Sequence, residues 1–155
     1  MLFRSYYQIL HLKPHSLHID NPSSSFIRTI DARDYPWDEY DIIVNAAAWT
    51  DVDGAESPEG RRLSWRANAT GPANLARAAS QHNLTLVHIS SEYTFDGSTA
   101  IHTEDEPPSP LGVYGQSKAG GDAAVMGTPR HYLVRTRPRF SPSGRQKYHS
   151  SLTVE

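Results

Sequence analysis

With 155 residues the chain has the length of about one domain, and a formal charge of -2 with a pI near 6.4 gives no basic field for nucleic acid or for an anionic membrane surface. The absence of cysteine excludes a disulfide framework and a thiolate metal site. Its apolar runs fall far short of the ~20 residues of a membrane-spanning helix, and Met1-Leu2-Phe3-Arg4 is not followed by a signal-peptide core, so a cytoplasmic protein that acts on small molecules or proteins is expected.

Residues 1–25 show neither helical nor strand periodicity. Tyr6-Tyr7-Gln8-Ile9-Leu10 is apolar, but prolines, histidines and the run Ser23-Ser24-Ser25 follow, and the segment reads as irregular. Phe26 to Asp31 alternates as a strand would, and Pro36 then argues against helix through Tyr35-Pro36-Trp37. His11, His15, His18 and His82 lack a convergent metal-ligand spacing, so no metal site is expected.

Asp41-Ile42-Ile43-Val44-Asn45 is a short apolar run rich in β-branched residues, the pattern of a parallel strand buried on both faces. It runs out into Ala46-Ala47-Ala48. These small side chains either pack strand closely on helix or let a flat ligand lie against the backbone at the strand's carboxyl end, where open α/β sheets bind ligands. Ser57-Pro58-Glu59-Gly60 then marks a helix start, with Ser57 as N-cap and Pro58 at the first helical position. Asp51, Asp53 and Glu56 just before it read as loop acids that complement the helix dipole. The helical pattern continues through Arg66–Thr70 and Asn74–Ala79, across Gly71-Pro72. If the helix persists there, Pro72 cannot donate to the Asn68 carbonyl, which is left free at a kink. Leu84 to Ser90 is a second buried strand, and strand, helix and strand at this separation make the right-handed crossover of an α/β domain.

That second strand ends in Ser90-Ser91-Glu92-Tyr93, which brings hydroxyls to the same crevice as the alanines. The Pro-, Gly- and acid-rich stretch between Phe95 and Leu111 has the length of a loop that covers a site or lacks fixed structure. Beyond it, Val113-Tyr114-Gly115-Gln116-Ser117-Lys118 opens an Ala-rich helix on which Tyr114 and Lys118 stand one turn apart, roughly 5–6 Å between Cβ atoms. Alone, such a pair reads as solvated surface side chains. With Ser91 at the neighbouring strand end it becomes a hydroxyl to hold a carbonyl oxygen, a phenol as acid, and an ammonium that lowers the ordinary phenol pKa of about 10.

Four stretches in this order, Val44-Asn45-Ala46-Ala47-Ala48-Trp49-Thr50, Ala67-Asn68-Ala69-Thr70-Gly71-Pro72, His88 to Gly97 and Ser109 to Lys118, resemble the signatures of the dTDP-4-dehydrorhamnose reductase family of extended short-chain dehydrogenase/reductases. The resemblance covers about residues 40–136. It implies an NAD(P)-binding Rossmann-like domain and reduction of the 4-keto group of dTDP-4-dehydro-L-rhamnose by NADPH or NADH, giving dTDP-L-rhamnose for cell-surface glycans. It further implies Tyr114 as proton donor, Lys118 as its tuning partner and ribose ligand, and Ser91 as the hydroxyl where the family commonly has Thr. Glu92 replaces the usual Asp and, with Tyr93, would contact substrate. Asp31 and Ala32 would lie at the adenine side, Ala47, Ala48, Trp49 and Thr50 along the cofactor, and Asn68 at a kinked helix that can hold a proton-relay water. A homodimer is the assembly the resemblance allows for the full-length family. Two other classes carry similar motifs: a regulatory subunit resembling the beta subunit of methionine adenosyltransferase, and a nucleotide-sugar epimerase or dehydratase.

No glycine precedes Gly54, so the Gly-rich pyrophosphate turn of a dinucleotide fold is missing, and Arg137-Pro138-Arg139-Phe140 departs from the family's continuation. The expectation is therefore an incomplete parallel sheet flanked by helices, truncated at both ends: an irregular segment 1–25, a partial Rossmann-like domain 26–136, an irregular tail 137–155, and an inactive or partial form of the reductase.

Overall fold

In this computed structural model, which describes residues 36–136, 138–140 and 146–148, three segments form a parallel sheet: β1 (Ile42–Asn45), β2 (Thr85–Ser91) and β3 (His131–Thr136). Their order is β1-β2-β3, with Asn45 opposite His88 and His88 opposite Leu133. Helices α1 (Pro58–Trp65) and α2 (Gly71–Gln81) connect β1 to β2, and α3 (Val113–Met126) connects β2 to β3. This is the α/β class expected from the sequence. The strand expected over Phe26 to Asp31 and the segment 1–25 lie outside the described residues. The tail, expected to be irregular, includes a short antiparallel pair, β4 (Pro138–Phe140) with β5 (Gln146–Tyr148).

Expected burial on both faces of β1 is corrected to burial on one. Ile43 and Asn45 are buried, whereas Ile42 and Val44 are only half-buried, and β2 repeats this with Leu86, His88 and Ser90 buried against half-buried Val87 and Ile89. The physical reason is that the apolar cluster of α2 and α3, through Leu75, Ala78, Ala79 and Val125, gathers on the face that carries Ile43 and Leu86. Each Leu, Ile or Val side chain withdrawn from water contributes roughly 1.5–3 kcal/mol, and each Ala less.

The start of α1 is as the sequence dictates, with Ser57 Oγ accepting from the Gly60 amide at 3.0 Å and Pro58 at the first position. The helix does persist through Gly71-Pro72. It does so by widening into a π turn over Arg66–Thr70, in which the Gly71 amide bonds back to the Arg66 carbonyl. The Asn68 carbonyl, deprived of a donor by Pro72, lies against Gly121 of α3: a Cβ on Gly121 would fall 2.0 Å from that oxygen. Gly121 thus lets α3 press directly on the π turn, and that contact aligns the face of α3 bearing Tyr114 and Lys118.

Candidate active site

At the carboxyl end of β1 the chain turns through the alanine segment, and side-chain amides fix its course. Asn45 Oδ1 accepts from the Ala47 amide at 3.1 Å. Asn68, buried in the π turn, accepts from the Trp49 amide through Oδ1 at 2.8 Å and donates through Nδ2 to the Trp49 carbonyl at 3.3 Å and to Ser117 Oγ at 3.0 Å. Ser117 Oγ in turn donates to the Tyr114 carbonyl at 2.7 Å. The segment is therefore tied to α3 by one buried amide, with Ala46 and Thr50 exposed, Ala48 and Trp49 half-buried and Ala47 buried.

Tyr114 and Lys118 occupy one face of α3, and both are buried rather than solvated. Lys118 is 2% exposed, and its Nζ donates to the Ile89 carbonyl of β2 at 2.8 Å. Burial pushes its pKa down to about 8, against the opposing pull of the Asp122 carboxylate. The Tyr93 ring stands edge-on to the Tyr114 ring, 5.5 Å between centroids at 86°. Gly115 brings α3 onto the turn Glu92–Thr94, where a Cβ would lie 2.1 Å from the Tyr93 carbonyl oxygen. Ser91, buried at the end of β2, accepts from the Tyr93 amide at 3.3 Å and through its carbonyl from Thr94 Oγ1 at 3.0 Å.

A cavity of about 350 Å³ opens beside these groups, lined among others by Glu92, Tyr93, Phe95, Leu111 and Tyr114. The stretch between Phe95 and Leu111 lies along it and is not featureless. Phe95 stacks on His102 at 4.2 Å, His102 Nδ1 pairs with Glu106 at 3.0 Å, and Ser109 Oγ accepts from the Asp96 amide at 3.2 Å.

Of the residues singled out from the sequence, Glu92, Tyr93 and Tyr114 line the cavity, Trp49 packs against the cluster that holds Tyr114, Asn68 is bonded to Trp49 and Ser117, and Ser91 is bonded to the Tyr93 amide. Ser91, Lys118, Asn68, Ala47, Ala48 and Thr50 are not among the cavity walls. Asp31 and Ala32 lie outside the described residues. Sequence reasoning missed Glu56, whose Oε1 accepts from the Val113 amide at 2.7 Å and caps α3, where Gly112 offers no side chain. It also missed Asn45, His88, Asp122 and Arg135, which meet behind Lys118; the signal available was a histidine on the core-facing positions of β2. Burial and the Lys118 charge push His88 down to about 3. Among the described residues no group of three or more His, Asp or Glu is placed to hold a metal ion, and no helix is long and apolar enough to cross a membrane.

The RmlD substrate binding domain family matches residues 26–151. The chain is 41% identical over 102 residues to the dTDP-4-dehydrorhamnose reductase of Mycobacterium tuberculosis, covering 62% of this chain and 33% of that protein. It is 43% identical over 107 residues to the reductase of Salmonella typhimurium, covering 67% and 35%. Among solved structures, the Bacillus anthracis dTDP-4-dehydrorhamnose reductase in complex with NADP superposes with a TM-score of 0.60 at 36% identity, covering 63% of this chain and 35% of that one. The chain spans about a third of the length of these relatives.

Proposed function

The chain belongs to the RmlD substrate binding domain family, and from that membership we propose that its buried Tyr114-Lys118 pair serves NAD(P)H-dependent reduction of the 4-keto group of dTDP-4-dehydro-L-rhamnose to dTDP-L-rhamnose. The observation that carries this reading is a lysine ammonium 2% exposed, one helical turn from a phenol that lines a cavity at the carboxyl ends of parallel strands.

The residues present fit the nicotinamide end of such a cofactor. A lysine ammonium carries three N–H donors, of which the Ile89 carbonyl takes one, leaving donors for a ribose hydroxyl. Ala47, Ala48, Trp49 and Thr50, with the backbone held by Asn45 and Asn68, would lie along it. When bound, the reduced cofactor supplies the hydride for C4 of the sugar. Tyr114 would then give its phenolic proton to the O4 alkoxide, and the Lys118 ammonium one turn away would favour the phenolate that remains. Ser91 Oγ, which accepts from the Tyr93 amide, keeps its own hydrogen for the substrate carbonyl. Glu92 and Tyr93, at the cavity wall, would contact the sugar. The nucleotide sugar is accordingly the partner, and the reductases among the relatives favour this reading over a regulatory subunit or an epimerase.

The test is saturation-transfer NMR of NADPH and NADH with the purified chain, alongside turnover of the 4-keto nucleotide sugar. Nicotinamide protons should receive magnetisation from wild type and from Tyr114→Phe but not from Lys118→Met, and any sugar reduction should fall at least about 100-fold in Tyr114→Phe. Absence of nicotinamide contact in wild type, or reduction that survives Tyr114→Phe, would overturn the proposal.

A further inference from the structure

Behind Lys118, four elements bring together buried and half-buried side chains, most of which the chemistry above does not use. On α3, Asp122 stands one turn beyond Lys118 on the same face and is fully buried. From β3, Arg135 Nε approaches Asp122 Oδ2 at 3.4 Å. From β2, His88 Nε2 lies 3.8 Å from Asp122 Oδ1, and the Ser90 hydroxyl is within reach of the same carboxylate without a closed bond. From β1, Asn45 Nδ2 meets His88 Nδ1 at 2.9 Å.

The orientation of this set is determined. Asn45 Oδ1 is occupied by the Ala47 amide, so the NH₂ end of the side chain faces His88, and Nδ1 of that ring accepts. The neutral ring then carries its hydrogen on Nε2, aimed at Asp122. Polar groups thus run from the alanine segment through Asn45, His88 and Asp122 to the turn of α3 that bears Lys118. Among the described residues Asp122 is the only buried carboxylate, and it faces two cations, Lys118 and Arg135. An ammonium buried without a counter-charge gives up its proton.

We propose that Asp122 is a positioning residue for the reductase chemistry: shared between Arg135 and Lys118 and faced by His88, it holds Lys118 as an ammonium directed at the Ile89 carbonyl, and through Lys118 keeps Tyr114 able to cycle its proton. This rests on the reductase reading of Tyr114 and Lys118. The electrostatics agree with the geometry. Burial lowers Lys118 and the Asp122 charge opposes that, while burial raises Asp122 and Ser90, Lys118 and Arg135 counter it. His88, held neutral, presents Asp122 with a donor instead of a third charge.

The chain has three lysines, Lys13, Lys118 and Lys147, so ¹³C-lysine labelling gives three ε-methylene signals, and Lys118→Arg assigns the one of interest. Its titration should have a midpoint near 8 in wild type. In Asp122→Asn the midpoint should fall by about one unit or more, and Asp122→Glu should restore most of it. Loss of nicotinamide contact with rising pH should begin correspondingly earlier in Asp122→Asn. If that variant does not fold, Arg135→Gln answers the same question: with one competing cation gone, the midpoint should rise by about half a unit. A Lys118 midpoint unmoved in folded Asp122→Asn, or unmoved or lowered in Arg135→Gln, overturns the proposal. The titration needs no substrate, so a shifted midpoint without nicotinamide contact would refute the reductase reading alone, and Lys118-dependent contact with an unmoved midpoint would refute the role of Asp122 alone.

Discussion

One face of the sheet carries two chemistries. Toward the amino ends of the strands, Ile43, Leu84 and Leu86 join Trp37, Leu75, Ala78, Ala79 and Val125 in an apolar cluster. Further along the same strands, Asn45, His88 and Ser90 are buried against Lys118 and Asp122. Burying a polar group costs stability unless it is bonded, and His88 Nε2, Ser90 Oγ and Asp122 Oδ1 make no hydrogen bond. The first half holds the fold together. The second draws on that stability to keep reactive groups away from water, so substitutions in the two halves should separate stability from function.

The largest effect is expected where the two halves are clamped. Gly121→Ala places a methyl against the Asn68 carbonyl at 2.0 Å, and only movement of α3 from the π turn relieves it. A cost of about 4 kcal/mol or more is expected in urea denaturation. A loss below about 1 kcal/mol would mean that α3 is not seated on that carbonyl.

Leu86→Ala comes next, at about 3 kcal/mol, because the side chain is wholly buried in the apolar half. The folded fraction should keep the Lys118 titration and the nicotinamide contact unchanged. Tyr114→Phe should do the opposite, with stability within about 1 kcal/mol of wild type and, on the proposed function, any sugar reduction lost. If Leu86→Ala moved the Lys118 midpoint, the two halves would be a single cooperative unit and the contrast between them would fail.

Acid should act on the polar half through His88. Its folded value of about 3 lies below the unfolded 6.5, so between these limits the unfolded chain binds a proton that the folded chain does not. The contribution is fully present above pH 6.5 and is lost as pH falls, by about 2 kcal/mol between pH 7 and pH 5. Urea midpoints measured over that interval should fall more steeply in wild type than in His88→Gln. Parallel slopes would show that His88 already binds its proton in the folded state.

How far the sequence anticipated this arrangement depended on whether the signal was local. Ser57-Pro58 announces the start of α1, β1 and β2 stand out as β-branched runs, and Tyr114 and Lys118 share a face by spacing alone. Pro72 announced a disturbed helix but not its form, because a π turn depends on what presses against it, here Gly121 some fifty residues later. The group behind Lys118 is not assembled by any one local stretch, since Asn45, His88, Asp122 and Arg135 come from four elements. Only the pattern Leu84, Leu86, His88, Ser90 hinted at it, as a core-facing series that turns polar halfway.

Glu56 is the smallest and most local case, read from the sequence as one of three loop acids. Helix α3 begins after Gly112, which has no side chain to cap it, and the first amide donor is met by Glu56 Oε1 from the turn Gly54–Glu56 before α1. The acid also suits the positive end of the helix dipole. Glu56→Ala should cost about 1 kcal/mol and speed hydrogen exchange at the Val113 amide, next to Tyr114. Glu56→Gln retains an oxygen that can accept the same bond, so it should lose only the few tenths due to charge. Equal losses in the two variants would assign the effect to the charge, whereas a loss confined to Ala would show that the hydrogen bond itself sets the first turn of the helix on which the phenol stands.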